Sequence, residues 1–139
     1  MQIGERFGST GTPQMAASSS RATAALTRSD TLVDVNWVDG DSGTLNGRSF
    51  RLHGVDAPEG SPSRAECVQE QVRAEASAGA ARALTRNGKV TVRQSHGFDR
   101  YGRELVSLSV DGRDVATLLM EQGHLKRWDY PAQRKPNWC

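Results

Sequence analysis

The chain has 139 residues, 36% of them hydrophobic, with 18 basic and 16 acidic side chains and a formal net charge of +2. That length suits a single domain, and no run approaches the roughly 18 apolar residues of a membrane-spanning helix. A charge this close to balance announces no polyanionic partner, so any signal for nucleic acid has to be local.

Residues 1–29 are rich in Gly, Ser, Thr and Ala and sustain neither helical nor strand periodicity. They read as a flexible arm ahead of one domain at residues 30–139. Leu32, Val33, Val35, Trp37 and Val38 then form a first strand that ends in the turn signal Asp39-Gly40-Asp41. Thr44-Leu45 and Ser49-Phe50-Arg51-Leu52 flank Asn46-Gly47, the pair that tolerates the positive φ angles of a two-residue hairpin turn. Residues 54–63, with two prolines among Gly and Ser, read as a loop.

An Ala-, Glu- and Arg-rich stretch over residues 64–86 predicts a helix, with Val72, Ala76, Ala80, Ala83 and Leu84 on its apolar stripe and Asn87-Gly88 as its stop. Two strands are expected at residues 89–94 and 105–110. A short helix follows at residues 114–122, burying Val115, Leu118 and Leu119 and stopping at Gly123. The order β-β-β-α-β-β-α disfavours a doubly wound parallel sheet. It predicts a small antiparallel α+β fold, for which a partly open five-stranded barrel is one solution.

Cys67 and Cys139 have no partner at metal-ligand spacing, and neither do His53, His96 and His124, which are expected to be packing or surface residues. Two reduced thiols are the default reading. The alternative is one disulfide between them, closing a loop of about 70 residues and placing the chain in an oxidising compartment. The last residues are locally basic, with Lys126, Arg127, Arg134 and Lys135 interleaved with Trp128, Tyr130 and Trp138. They either extend a groove for single strands or pack back over the barrel with solvated charges and Cys139 as an anchor. The second is preferred.

Three polar clusters carry possible chemistry: Asp39-Gly40-Asp41-Ser42, Arg51 with Asp56 and Glu59, and Asp99-Arg100-Tyr101-Gly102-Arg103. Singly, each is an ordinary turn, a solvated loop or a strand Arg. Together they make a coherent set. Carboxylates from two segments, Asp41 and Asp56, suit a hard divalent cation. Arg51 and Arg103 suit the nonbridging oxygens of a phosphodiester, which a planar guanidinium binds as a fork. Glu59 can orient a water or accept its proton.

Those clusters, as Val38-Asp39-Gly40-Asp41-Ser42, the segment from Phe50 to Glu59, and Asp99 to Arg103, resemble the three motif blocks of the staphylococcal nuclease (thermonuclease) family. Order and spacing agree, and the resemblance covers about residues 31–128. It implies an OB-fold five-stranded β-barrel with appended α-helices. It also implies a calcium-dependent endonuclease acting on DNA and RNA, with single strands preferred, that cleaves the 5′ P–O bond to leave 3′-phosphates.

Carried over position by position, the resemblance makes Asp41, Asp56 and the backbone carbonyl of Ala57 the Ca2+ ligands, where the family usually has Thr in place of Ala57. Arg51 and Arg103 become the phosphate clamps and Glu59 the base or water positioner. Arg100 and Tyr101 become substrate contacts. A second base-stacking ring is open between Trp128 and Tyr130, although a buried core position is the preferred reading of Trp128. The resemblance further implies a monomer, and the lack of a long apolar run leads to the expectation of no membrane association. With a disulfide it would suit a secreted or periplasmic protein, although the N-terminus carries no apolar signal core. The competing expectation is a module of the same fold that binds nucleic acid or protein without catalysis, and a generic α+β domain ranks third.

Overall fold

A computed structural model describes residues 31–129 and 132–139; the arm expected at residues 1–29 and Tyr130 lie outside the described residues. The strands are β1 (Val35–Asp39), β2 (Ser42–Leu45), β3 (Arg48–Leu52), β4 (Val55–Asp56), β5 (Val90–Phe98), β6 (Glu104–Val110), β7 (Arg113–Asp114) and β8 (Lys126–Arg127). The helices are α1 (Val68–Thr85) and α2 (Val115–Glu121).

The main sheet runs β1-β2-β3-β6-β5, with β7 on β6, and β4 pairs with β8 in a separate ribbon. Asn46 and Gly47, at φ 49° and 85°, make the expected hairpin turn, which sets Leu45 opposite Arg48. The expectation of an antiparallel fold needs correction at one seam, because β3 and β6 pair in parallel. They can do so because the whole of α1 and β5 intervenes and supplies the crossover. Just before β1, the Val33 N–H donates to the Val90 carbonyl at 2.9 Å and Leu32 bridges Thr91, so the first and last strands of the path meet. This contact curls the sheet towards a barrel, in an α+β fold of mixed sheet and two helices.

Phe50, Leu52, Val106, Leu108, Val115 and Leu119 fill the core, with Trp37 edge-on to Phe50 at a centroid distance of 5.3 Å. The Trp37 indole donates to Thr85 Oγ1 at 3.0 Å, which fastens the last turn of α1 to β1. α1 begins at Val68 rather than near residue 64, because Cys67 caps it, its sulfur accepting the Glu70 N–H. Its buried face is also turned from the expected stripe: Glu70, Ala74, Ser77, Ala78, Ala81 and Thr85 point inward, and Val72 is exposed. Small side chains let the helix axis approach the barrel, and a Cβ on Gly40 would collide with Ser77 Oγ. α2 matches its prediction, with Val115, Leu118 and Leu119 buried and Asp114 Oδ2 capping the Thr117 N–H at 2.9 Å.

The reading of Cys67 and Cys139 as separate thiols is overturned. They form a disulfide, Cα to Cα 6.0 Å, across a sequence separation of 72. It ties the end of the chain to the start of α1. His53 and His96 stack on each other at 3.8 Å, as packing residues should.

A loop of that size is worth about 4 kcal/mol by chain entropy. Urea unfolding of the Cys67→Ser/Cys139→Ser protein is therefore expected to show a loss of that order, and reductant is expected to lower the wild type towards the variant while leaving the variant unmoved.

Candidate active site

The turn between β1 and β2 carries Asp41, β3 carries Arg51, and β4 carries Asp56. Asp39 and Ser42 are register partners, which leaves Gly40 and Asp41 as the turn. Asp39 Oδ1 stabilises it by accepting from Ser42 Oγ at 2.7 Å. Leu52 N donates to the Asp41 carbonyl at 2.8 Å, which sets the turn against the end of β3. Arg51 Nη2 then lies 3.1 Å from Asp41 Oδ2 and 3.6 Å from Asp56 Oδ1. Its Nη1 donates to the Val55 carbonyl at 3.1 Å, so the guanidinium is held on two sides. The Ala57 N–H donates to Asp41 Oδ2 at 3.1 Å. Asp41, Arg51, Asp56 and Ala57 are therefore one cluster, drawn from three strand ends.

Burial pushes the Asp41 carboxyl well above the usual carboxylate range, its hydrogen bond with Asp39 adds to the rise, and Arg51 opposes it. Burial is the largest cause, so these carboxylates stay charged only with cationic compensation, which a divalent ion with oxygen ligands can supply. Among the described residues, no three of His, Cys, Asp and Glu gather as a ready-made metal cage. Two carboxylates, a backbone carbonyl such as that of Ala57, and waters are the donors such an ion would use. The residues present fit a hard cation on those terms.

A second cluster is the β5–β6 turn. Asp99 Oδ1 accepts the backbone N–H of Tyr101 and of Arg103, each at 2.9 Å, and Asp99 Oδ2 accepts Arg103 Nε at 2.8 Å. Gly102, at φ 82°, lets the chain close this turn. Tyr101 is exposed, with the Arg100 and Arg103 guanidinium carbons 5.0 and 5.6 Å from its ring centre. The parallel register pairs Arg51 with Leu105 and Phe50 with Glu104. Arg103 thus stands just before the strand whose Leu105 is the register partner of Arg51.

Glu59 stands in a third arrangement. Its backbone N–H donates to Glu70 Oε2 at 2.8 Å, and its carboxylate accepts Arg64 Nη2 at 3.0 Å. Buried Glu70 also accepts the Glu66 N–H, at 2.9 Å, and so pins both ends of this loop.

Two expectations about the tail change. Trp128 is half-buried rather than in the core, and its ring lies 5.7 Å from the Arg51 guanidinium carbon. The C-terminus does pack back, with Trp138 buried and Cys139 anchored, but its charges are not all left to solvent. Lys135 Nζ and Trp138 Nε1 each lie 2.9 Å from Asp56 Oδ2. Sequence reading missed this contact because it spans some eighty residues, although the mixture of basic and aromatic side chains marked the segment. Asp99, Glu70 and Arg64 were missed as supports of the expected residues, and Asp99 alone had a signal, as the first residue of its motif.

A family model described as Staphylococcal nuclease homologue matches residues 49–136. The chain belongs to that family. The match begins later than the resemblance at residue 31, leaving Asp41 outside it, and runs past residue 128 to include Lys135. No curated protein matches the chain. Family membership makes this a nuclease-type or nucleic-acid-binding domain, and among the described residues no helix is long and apolar enough to cross a membrane.

Burial raises the Asp99 carboxyl, but hydrogen bonds from the backbone and side chain of Arg103 and the backbone of Tyr101 outweigh it and hold the group below its ordinary value. A lowered native pKa gives stability that is present above the unfolded value of about 4 and is lost as pH falls through the native one. Asp99→Asn is expected to be less stable than wild type at pH 7 by no more than about 1 kcal/mol, the scale of a surface pair. The gap in urea midpoints should close as pH falls through the lowered native value, and a gap independent of pH would contradict this assignment.

Proposed function

We infer that this protein is a calcium-dependent phosphodiesterase that hydrolyses DNA and RNA, cleaving the 5′ P–O bond and leaving 3′-phosphates. The observation that carries the reading is the meeting of two buried carboxylates, Asp41 and Asp56, at one guanidinium, Arg51, in a chain of the staphylococcal nuclease homologue family.

In this reading Asp41, Asp56 and the Ala57 carbonyl hold Ca2+, which when bound supplies positive charge to the phosphodiester oxygens. Arg51 and Arg103 take nonbridging oxygens of the phosphate, both already oriented by neighbouring acceptors, so little ordering is left for the moment of reaction. Glu59 orients the attacking water or accepts its proton. Its backbone is fixed by Glu70, whereas its carboxylate is held by Arg64, whose side chain is 69% exposed. Such a pair is worth about 0–1 kcal/mol and exchanges readily for a water or a substrate. Tyr101, with Arg100 beside it, offers a ring to a base or its sugar, and stacking of this kind accepts any sequence and favours unpaired strands. Trp128 is the second ring in this scheme. The unit that acts is the monomer formed by residues 30–139.

One observation favours a second reading. Asp56 is already satisfied by Lys135, Trp138 and Arg51 without a metal, as suits a domain that binds nucleic acid without cutting it.

Cleavage of a quenched fluorescent single-stranded DNA separates the two. Cutting in millimolar calcium, stopped by excess chelator and absent from an Arg103→Ala preparation, is the expected result. Glu59→Gln is expected to fold normally and lose about 10²- to 10⁴-fold in turnover. Folded protein that does not cut in calcium would favour the binding module, and a Glu59→Gln enzyme with unchanged kcat would remove Glu59 from the reaction.

A further inference from the structure

The C-terminal segment converges on Asp56 from the far end of the chain. Cys139 is bonded to Cys67 at the cap of α1. Trp138 is 3% exposed, and its indole N–H and the Lys135 ammonium share Asp56 Oδ2. Lys126, on the strand paired with β4, lies 4.5 Å over the Trp138 ring and donates to the Asn137 carbonyl, which holds the indole in place. The Lys135 ammonium is also 5.8 Å from the Trp128 ring, the ring that faces Arg51.

We propose that Lys135 is the resident cation of the metal site: it neutralises Asp56 in the metal-free protein, competes with a divalent cation for Oδ2, and once displaced offers its ammonium to a nucleic-acid phosphate. The proposal rests on the reading of Asp41 and Asp56 as metal ligands. A carboxylate oxygen has about two lone-pair sites, and here both are taken, one by Trp138 and one by Lys135. A hard cation that takes Oδ2 needs one of them back, and one that enters at Oδ1, which has Arg51 at 3.6 Å, still stands beside the ammonium's charge.

The donor that yields is the one least fixed. Trp138 is buried and packed, whereas the Lys135 side chain is 38% exposed on a flexible stem. An ammonium is also a compact charge whose donors rotate freely, so it can move from one oxyanion to another where a fork could not. Displacement does not remove it from the site. The disulfide four residues on limits its travel to roughly 14 Å of extended chain, which keeps its effective concentration beside Asp56 high.

The test compares wild type, Lys135→Met and Arg86→Met by calorimetric titration with calcium. Arg86 caps the other end of α1, about 27 Å of helix from Cys67, and its removal controls for the change in net charge. Lys135→Met is expected to bind calcium about fivefold tighter or more, since a cation a few ångströms from the ion is gone, while Arg86→Met follows wild type.

Fluorescence anisotropy with a single-stranded oligonucleotide in calcium is measured in a Glu59→Gln background, where the strand survives. Loss of Lys135 should weaken binding there and reduce the salt slope by about 0.7, one phosphate contact on a single strand. Calcium affinities of wild type and Lys135→Met within twofold of each other would overturn the proposal and leave the metal reading standing. Absence of calcium binding in all three folded proteins would overturn both. Tighter calcium binding with unchanged oligonucleotide binding would overturn the phosphate role.

Discussion

A carboxylate buried to 1% exposure constrains everything around it, and Asp56 is that group. An ion removed from water without partners costs many kcal/mol, so the fold has to deliver donors to it. They come from two distant places: Arg51 from the neighbouring strand, and Lys135 and Trp138 from residues 79 and 82 positions later. The β4–β8 ribbon and the disulfide bring the last residues within reach. Removing Arg51, the buried cationic partner, would leave a charge half-satisfied in low dielectric, a loss of about 3–5 kcal/mol in comparable buried pairs. The tail supplies the other two donors and is thus part of the domain's stability as well as of its site.

The remaining candidate residues are held with graded firmness. Arg51 and Arg103 are fixed by acceptors at short range, Arg51 by a carboxylate and a carbonyl, Arg103 by an Asp99 that also takes two backbone N–H groups. The parallel β3–β6 seam carries Arg51 on one strand and begins the other just after Arg103. Glu59 is the exception, firm in its backbone and loosely paired in its side chain. Groups that bind a phosphate gain from being set beforehand, and a group that exchanges a proton gains from a partner it can leave. The distribution of strong and weak pairs suits the division of labour in the proposed reading.

Local chemistry was legible in the sequence and long-range pairing was not. Asn46-Gly47 specifies its hairpin because few residues adopt two successive positive φ angles, and Asp114 announces α2 because a cap is a contact within three residues. Two of the three motif clusters meet, at Asp41, Arg51, Asp56 and Ala57, whereas the Asp99–Arg103 turn and the Glu59 side chain make contacts of their own. By contrast, β4 and β8 are two-residue strands with no periodicity to detect, and they exist only through each other. The face of α1 was misjudged because Val72 and Leu84 outrank Ala and Ser in hydrophobicity, whereas the barrel selected small residues for close approach. Two cysteines 72 residues apart leave pairing undecided until the ends are seen to meet.

Burial, finally, decides which charges can be spared. Around Asp41 and Asp56 the protein places one guanidinium that is anchored and one ammonium that is half exposed. Were both cations anchored, the carboxylates would be neutralised for good and a metal would have to break buried pairs to enter. Were neither present, two buried acids a few ångströms apart would repel, and one would take up a proton rather than stay charged. A single part-exposed cation would resolve the conflict: on the proposed reading the acids are paired in the absence of metal, and admitting a divalent ion would trade a surface-reaching contact rather than a core one. The same logic explains why the segment carrying that cation is covalently tied, since a free tail would lose it to solvent.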